Sequence, residues 1–214
     1  MSLVKLIRNS IGGGVILISL AVGSAAQAAT WTEVGDAGEL LPTSQTNVGS
    51  GLLDSISGTL IDLGGGIDDI DLYQIFIHDT DAFSVTVSAS LSEDNDASLF
   101  LFDAGGVLKL FDDDSGFDLL PQFNPGDLSG QPTGIYYLAF NLYDTEPNSD
   151  PLAGWNRNPS PFQTGLYTLS LTGTKFASSA TVPEPSTILG LGVLGLGAFC
   201  QRKLSQEKNS KQDN

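Results

Sequence analysis

The stretch Ala82-Phe83-Ser84-Val85-Thr86-Val87-Ser88-Ala89 alternates apolar and polar side chains from Phe83 onward. A period of two residues is the signature of a β-strand with one covered face, because successive side chains leave a strand on opposite sides. Phe83, Val85, Val87 and Ala89 therefore point one way, and Ser84, Thr86 and Ser88 the other. Valine and threonine, branched at Cβ, suit a pleated, half-buried surface.

The same pattern recurs on both sides. Tyr73, Ile75 and Ile77 share a face in the preceding segment, and Tyr167, Leu169 and Leu171 do so near the end of the region. Ala97 to Phe102 and Val107 to Phe111 flank Asp103-Ala104-Gly105-Gly106, which reads as a hairpin turn. Ile135 to Tyr143 is more continuously apolar and predicts a strand covered on both faces. With Ile56 to Ile61 this makes about seven strands and no amphipathic helix. The expected fold is all-β, a jelly-roll-like β-sandwich.

The chain has 214 residues and a formal net charge of -16. Residues 30–181 contain 22 Asp or Glu against three cations, Lys109, Arg157 and Lys175, a net charge of -19. Such a surface repels nucleic acid and opposes self-association, so a monomer without a nucleic-acid partner is expected. The single cysteine, Cys200, excludes a disulfide framework and a thiolate metal site from this region.

Both ends carry addresses. Lys5 and Arg8 precede an apolar run from Ile11 to Val22 and then Ala26-Gln27-Ala28. This is the layout of a secretory signal peptide over 1–28, cleaved after Ala28 or one residue later, and it predicts handling by the Sec export machinery. At the other end Val182-Pro183-Glu184-Pro185 leads into Ser186 to Cys200, 15 residues without charge, and then Arg202-Lys203. As a single transmembrane helix that run would reach about 22 Å, short of a hydrocarbon core of about 30 Å. The basic residues of 202–214 would stay cytoplasmic by the positive-inside rule, leaving 30–181 outside.

The C-terminal pattern resembles the PEP-CTERM sorting signal, over 182–203 with 204–214 as a basic tail. The resemblance implies an exosortase as processing partner, with Val182, Pro183, Glu184, Pro185, Arg202 and Lys203 as the sorting residues. It also implies a transient inner-membrane stage before the cell envelope or extracellular matrix, in bacteria that make extracellular polysaccharide. An ordinary membrane anchor is the competing reading. The middle region resembles the bacterial pre-peptidase C-terminal domain over about 35–173. The carriers are "GDAGELLPTSQT" (35–46), "ISGTL" (56–60), "DIDLYQIFI" (69–77), "LFLFDAGGVLKLFDDDSG" (99–116), "GIYYLAF" (134–140) and "GLYTLSL" (165–171). That resemblance implies a β-sandwich. It also matches Asp69 and Asp71 to an Asp-x-Asp-x-Tyr signature, and implies calcium binding by acids at the N-terminal edge, where Glu33, Asp36 and Glu39 lie.

Hard cations take clustered carboxylate and carbonyl oxygens from loops, so acidic runs are candidate calcium ligands. Asp69 and Asp71, just after the glycine run 64–66, belong to one run, Asp112, Asp113 and Asp114 form a second, and Asp94 and Asp96 belong to a third, with Glu33 and Asp36 entering through the resemblance. None has the spacing of an EF-hand loop. Such aspartates also cap strands and shape turns without any ion. The segment 144–164 is long for a loop. Its Trp155, Arg157 and Phe162 form either a surface for a sugar polymer or a plug folded back on the sandwich. Catalytic motifs are missing: His78 is the one histidine and no G-x-S-x-G elbow occurs. The expectation is a non-catalytic exported surface or matrix protein whose sandwich binds polysaccharide, calcium or another envelope component. The alternatives are a carboxylate-dependent glycoside hydrolase and an accessory module acting with proteases in trans.

Overall fold

The computed structural model describes residues 29–61, 69–92, 95–157 and 164–179. The signal-peptide residues, the sorting residues, the expected C-terminal helix, Asp94 and Phe162 lie outside the described residues. Among the described residues there is no helix. The first strands in chain order are β1 (Thr30–Thr32), β2 (Gln45–Thr46), β3 (Val48–Gly49), β4 (Ser55–Leu60), β5 (Ile70–Ile77), β6 (Ser84–Leu91), β7 (Ala97–Asp103) and β8 (Leu108–Asp112). There follow β9 (Gln122–Phe123), β10 (Gly134–Leu142), β11 (Thr145–Pro147), β12 (Trp155–Arg157), β13 (Gly165–Thr172), β14 (Thr174–Phe176) and β15 (Ser178–Ser179).

Alternation along each strand decides what lies between the sheets. One sheet has the order β1-β4-β13-β6-β9, the other β14-β5-β10-β7-β8 with β2 beside β5. Val85 and Val87 of β6, Ile56 and Leu60 of β4, and Leu169 and Leu171 of β13 point inward from the first sheet. They meet Ile75 and Ile77 of β5, Leu99 and Leu101 of β7, and Leu138 and Phe140 of β10. The two sheets thus face each other over one shared core. Burying each such side chain contributes roughly 1.5–3 kcal/mol. The outward residues of β6, Thr86, Ser88 and Ser90, are exposed, as the period of two requires.

The hairpin at Asp103 forms as expected. β7 and β8 pair antiparallel, and Gly106 N donates to Asp103 O at 2.9 Å. Asp103 Oδ1 accepts from Gly105 N and Val107 N, an aspartate-shaped turn. Gly106 has φ 85°, a conformation that disfavours side chains with a Cβ. β10 is central in its sheet and buried on both faces: Tyr136, Leu138, Phe140 and Leu142 face the first sheet, and Ala139 faces outward.

The outward side of the second sheet carries a smaller cluster. Ile70, Leu72, Phe100, Phe102, Ala139 and Leu152 are buried there, with Leu40, Leu41 and Trp155 packed against them. Two segments cover it, 38–44 and 144–157. The second differs from the structureless loop the sequence suggested, because Thr145–Pro147 and Trp155–Arg157 pair as a short antiparallel hairpin.

Candidate metal centre

The start of β5 sets the site. Asp69, Asp71 and Tyr73 alternate with Ile70 and Leu72. The two apolar residues turn to the outer cluster, so the carboxylates follow Tyr73 into the space between the sheets. Asp69 is 2% exposed and Asp71 0%. The segment after β1 brings further acids to them. Glu33 N donates to Ser57 O at 2.9 Å, which extends the parallel pairing of β1 with β4. Its carboxylate then accepts from Thr59 N (2.8 Å) and Ala37 N (3.0 Å). Asp36 closes a turn by accepting from Gly38 N at 2.8 Å.

One carboxylate oxygen each from Asp36, Asp69 and Asp71 lies within 4.8 Å of the other two. Hydrogen bonds hold the two buried carboxylates in place. Asp69 Oδ2 accepts from Ile61 N at 2.8 Å, and Asp71 Oδ2 accepts from the Tyr167 hydroxyl at 2.6 Å. The Tyr167 oxygen lies 2.6 Å from that of Tyr73; with the Tyr167 proton committed to Asp71, Tyr73 donates. Gly58 makes this chain of hydroxyls possible, because a methyl group there would collide with both tyrosine oxygens. Asp69 Oδ1 and Asp71 Oδ1 are buried and have no hydrogen-bond partner.

Two buried acceptors without donors are costly unless something compensates them. The electrostatics say the same. Burial, the charges of Asp36 and Glu33 added to it, pushes Asp69 up from 3.8 to about 6. Burial and the neighbouring Asp69 charge push Asp71 up to about 9, with Glu33 adding to the effect. The phenols of Tyr73 and Tyr167 are also raised, by burial first and by the Asp71 charge second. The cluster therefore either keeps a proton or takes a cation. A cavity of about 370 Å³ opens beside it, with Glu33, Gly58 and Tyr167 in its wall. The donor set, carboxylates only, suits a hard divalent ion and fits calcium.

The other candidate residues are elsewhere. Asp112 spends its carboxylate on Ser115 N (3.1 Å), the Ser115 hydroxyl and Gln122 N (2.7 Å). Asp113 and Asp114 follow in the same turn, near Tyr143, Asp96 and Asp144. The structure thus joins Asp36 to Asp69 and Asp71 and leaves the run 112–114 to its turn. Glu39 sits in an ion pair with Arg157. Trp155 is half-buried: its ring lies T-shaped to Phe100 and Phe102, and its indole N–H donates to Glu39 O at 2.8 Å. Trp155 and Arg157 therefore pin the hairpin to the sheet. Sequence reasoning missed Tyr167 and Gly58. The available signal was an inward tyrosine in "GLYTLSL", whose hydroxyl needs a buried partner.

Comparisons with known proteins bear on the C-terminus. No curated protein and no solved structure matches the chain. Residues 181–203 match the family model of the PEP-CTERM protein-sorting motif, and that motif marks an exported protein processed by an exosortase at the membrane.

Proposed function

We propose that this is a non-catalytic surface or matrix protein, delivered by its sorting motif and released from the membrane near Val182-Pro183-Glu184-Pro185. The observation that carries the reading is the match over 181–203. The last described strand, β15, ends at Ser179, two positions before the match begins. Pro183 and Pro185 cannot continue a helix through their own positions, which keeps the segment extended for a protease. Glu184 resists burial in lipid and holds the segment at the interface. The module between the ends is a jelly-roll-type sandwich related to the pre-peptidase C-terminal domain, and its partner is an envelope polysaccharide. Processing is tested in the native host by mass spectrometry of the envelope protein. No peptide beyond about Pro185 is expected in the wild type. Replacing Pro183, Glu184 and Pro185 by alanine should leave the tail attached in the inner membrane. Intact wild-type protein still carrying Arg202 and Lys203 would reduce the motif to an anchor.

The same module takes calcium between Asp36, Asp69 and Asp71, with Glu33 adding negative charge beside them. The two partnerless buried oxygens support this reading. Calcium reaches a carboxylate site far more readily outside the cell than magnesium does, because magnesium gives up its waters reluctantly. The test is a thermal melt of the chelated protein with calcium, magnesium or sodium chloride at matched ionic strength. Calcium alone should raise the midpoint; equal shifts in all three salts would leave only screening of an acidic surface.

A further inference from the structure

We propose that the outer face of the second sheet carries a binding site for a neutral sugar ring, floored by Phe111 and Phe100 and rimmed by Glu146, Asn148 and Asp150. This deepens the reading of a polysaccharide partner and rests on it. The site is a cavity of about 400 Å³ between the edge strand β8 and the β11–β12 hairpin, with Leu108 and Pro147 also in its wall. That volume falls within the range of about 300–1,000 Å³ usual for ligand pockets.

Phe111 is the informative residue. Edge strands are normally blunted with charge, and β8 carries Lys109 and Asp112, yet between them it places a phenyl ring that is 47% exposed. The ring is nonetheless fixed. Phe111 stands opposite Phe100 across the β7–β8 pair, with ring centroids 4.8 Å apart and planes 31° from parallel. Phe100 is itself locked by Trp155, edge-on at 5.5 Å. The result is a preorganised aromatic floor with one side uncovered, which lowers the ordering cost of binding.

The rim selects the ligand. Asp150 Oδ1 accepts from Leu108 N at 3.0 Å, which fixes that carboxylate at the edge of the cavity. Glu146 is exposed on β11, and Asn148 is fastened by its N–H to Gly154 O at 2.9 Å. Carboxylates accept and do not donate, so the ligand must bring donors. An apolar floor needs a ligand with an apolar face. A sugar ring joins the two: its C–H face covers the phenyl ring while neighbouring hydroxyls donate to carboxylate oxygens. Anionic sugars are disfavoured by Glu146, Asp150 and the net charge of -16. Lys109 and Arg157 are engaged in ion pairs with Asp103 and Glu39, so they do not reverse this. Simple amines lack the C–H face that Leu108, Phe111 and Pro147 require.

The test is native affinity electrophoresis of the envelope-purified protein. The gels contain pullulan, dextran, galactomannan or hydroxyethylcellulose, with alginate as the anionic arm and a butylamine-equilibrated gel as the amine arm. Retardation is expected in at least one neutral gel and not in alginate, and butylamine should not relieve it. Phe111→Ala should weaken the apparent affinity by about tenfold or more, and Glu146→Gln by a smaller factor. Phe111→Trp should preserve or strengthen it. Because Phe111 is half exposed, its variants should melt close to the wild type, which separates lost binding from lost folding. Absence of retardation in every neutral gel, equal retardation of Phe111→Ala, or preference for alginate would overturn the proposal. Correct loss of the C-terminal tail in the same preparation would leave the address standing even then.

Discussion

Two of the chain's acidic groups look alike on paper and differ in physics. Asp69 and Asp71 enter the space between the sheets and each keeps one buried oxygen without a partner. Asp112, Asp113 and Asp114 close a turn at the end of β8, where Asp112 is saturated by backbone and serine donors. Strand parity explains the contrast. Aspartates spaced by two at the start of an inward-facing strand are driven inside together. Consecutive aspartates in a turn are spread around it, and water reaches them. The same residue type therefore serves as a pressing electrostatic problem in one place and as ordinary turn chemistry in the other.

The largest expected effect breaks the comparison directly. In the wild type, calcium at a hundredfold excess over its dissociation constant would stabilise the fold by about 2.7 kcal/mol. For a chain of this size that is a shift of roughly 5–10 °C. Asp71→Asn should remove most of that response while raising the midpoint of the chelated protein near neutral pH, since the amide oxygen still accepts from Tyr167 and folding no longer has to protonate a carboxylate. Asp112→Asn with Asp113→Asn and Asp114→Asn should keep the full calcium response. Differential scanning calorimetry reads both. A calcium shift lost from the turn variant and kept in Asp71→Asn would exchange the two roles.

Next in size is the pH dependence without metal. Asp69 and Asp71 have folded-state values of about 6 and about 9 against an ordinary 3.8. A carboxyl whose pKa is raised by folding favours the folded state only while protonated. Its contribution is fully present below about 4 and is lost as pH rises toward the folded value. The chelated protein should therefore lose stability progressively from about pH 4 to about pH 9. Calcium, which binds the ionised form, should flatten that slope. Asp71→Asn should flatten it too, and the turn variant should not. Denaturant titrations across this range supply the check, and a wild-type profile parallel to that of Asp71→Asn would remove Asp71 from the account.

What the sequence displays and what it hides divide along local and distant pairing. Phe83, Val85 and Val87 are buried as the alternation of 82–89 requires, and Asp103 shapes the expected hairpin. The shared direction of Asp69, Asp71 and Tyr73 follows from the same period. Distant partners have no such local mark. Strands of two or three residues, such as β1, β2 and β15, exist because a neighbouring strand supplies their hydrogen bonds. The approach of Glu33 and Asp36 to Asp69 depends on β1 running parallel to β4 in one register, Thr32 opposite Ser57. The resemblance to a known module pointed to both stretches as acidic but did not join them. The placement of Trp155 was hidden for a related reason: it is set by a hairpin of two three-residue strands and by the carbonyl of Glu39, 116 residues away in sequence.

The smallest expected effect tests the quieter half of the comparison. Asp113 and Asp114 lie near Asp96 and Asp144, whose charges act together on the exposed phenol of Tyr143. Asp114 is exposed and Asp113 half-buried, so their two charges act largely through solvent, where fields decay within about 8–10 Å at ordinary ionic strength. Asp113→Asn with Asp114→Asn removes two charges from a chain of net charge -16. Relief of repulsion favours the folded state slightly, because folding brings these acids closer than the unfolded chain does. Substitutions at such surface positions usually stay within about 0.5 kcal/mol. The double variant should therefore gain no more than about that amount at low salt, and the gain should vanish as sodium chloride is raised. Urea unfolding at low and high salt measures the difference. A loss exceeding about 1 kcal/mol, well outside the surface range, or a calcium response that disappears with the two charges, would mean that the turn itself holds the ion. The buried pair would then be a protonated structural feature and nothing more.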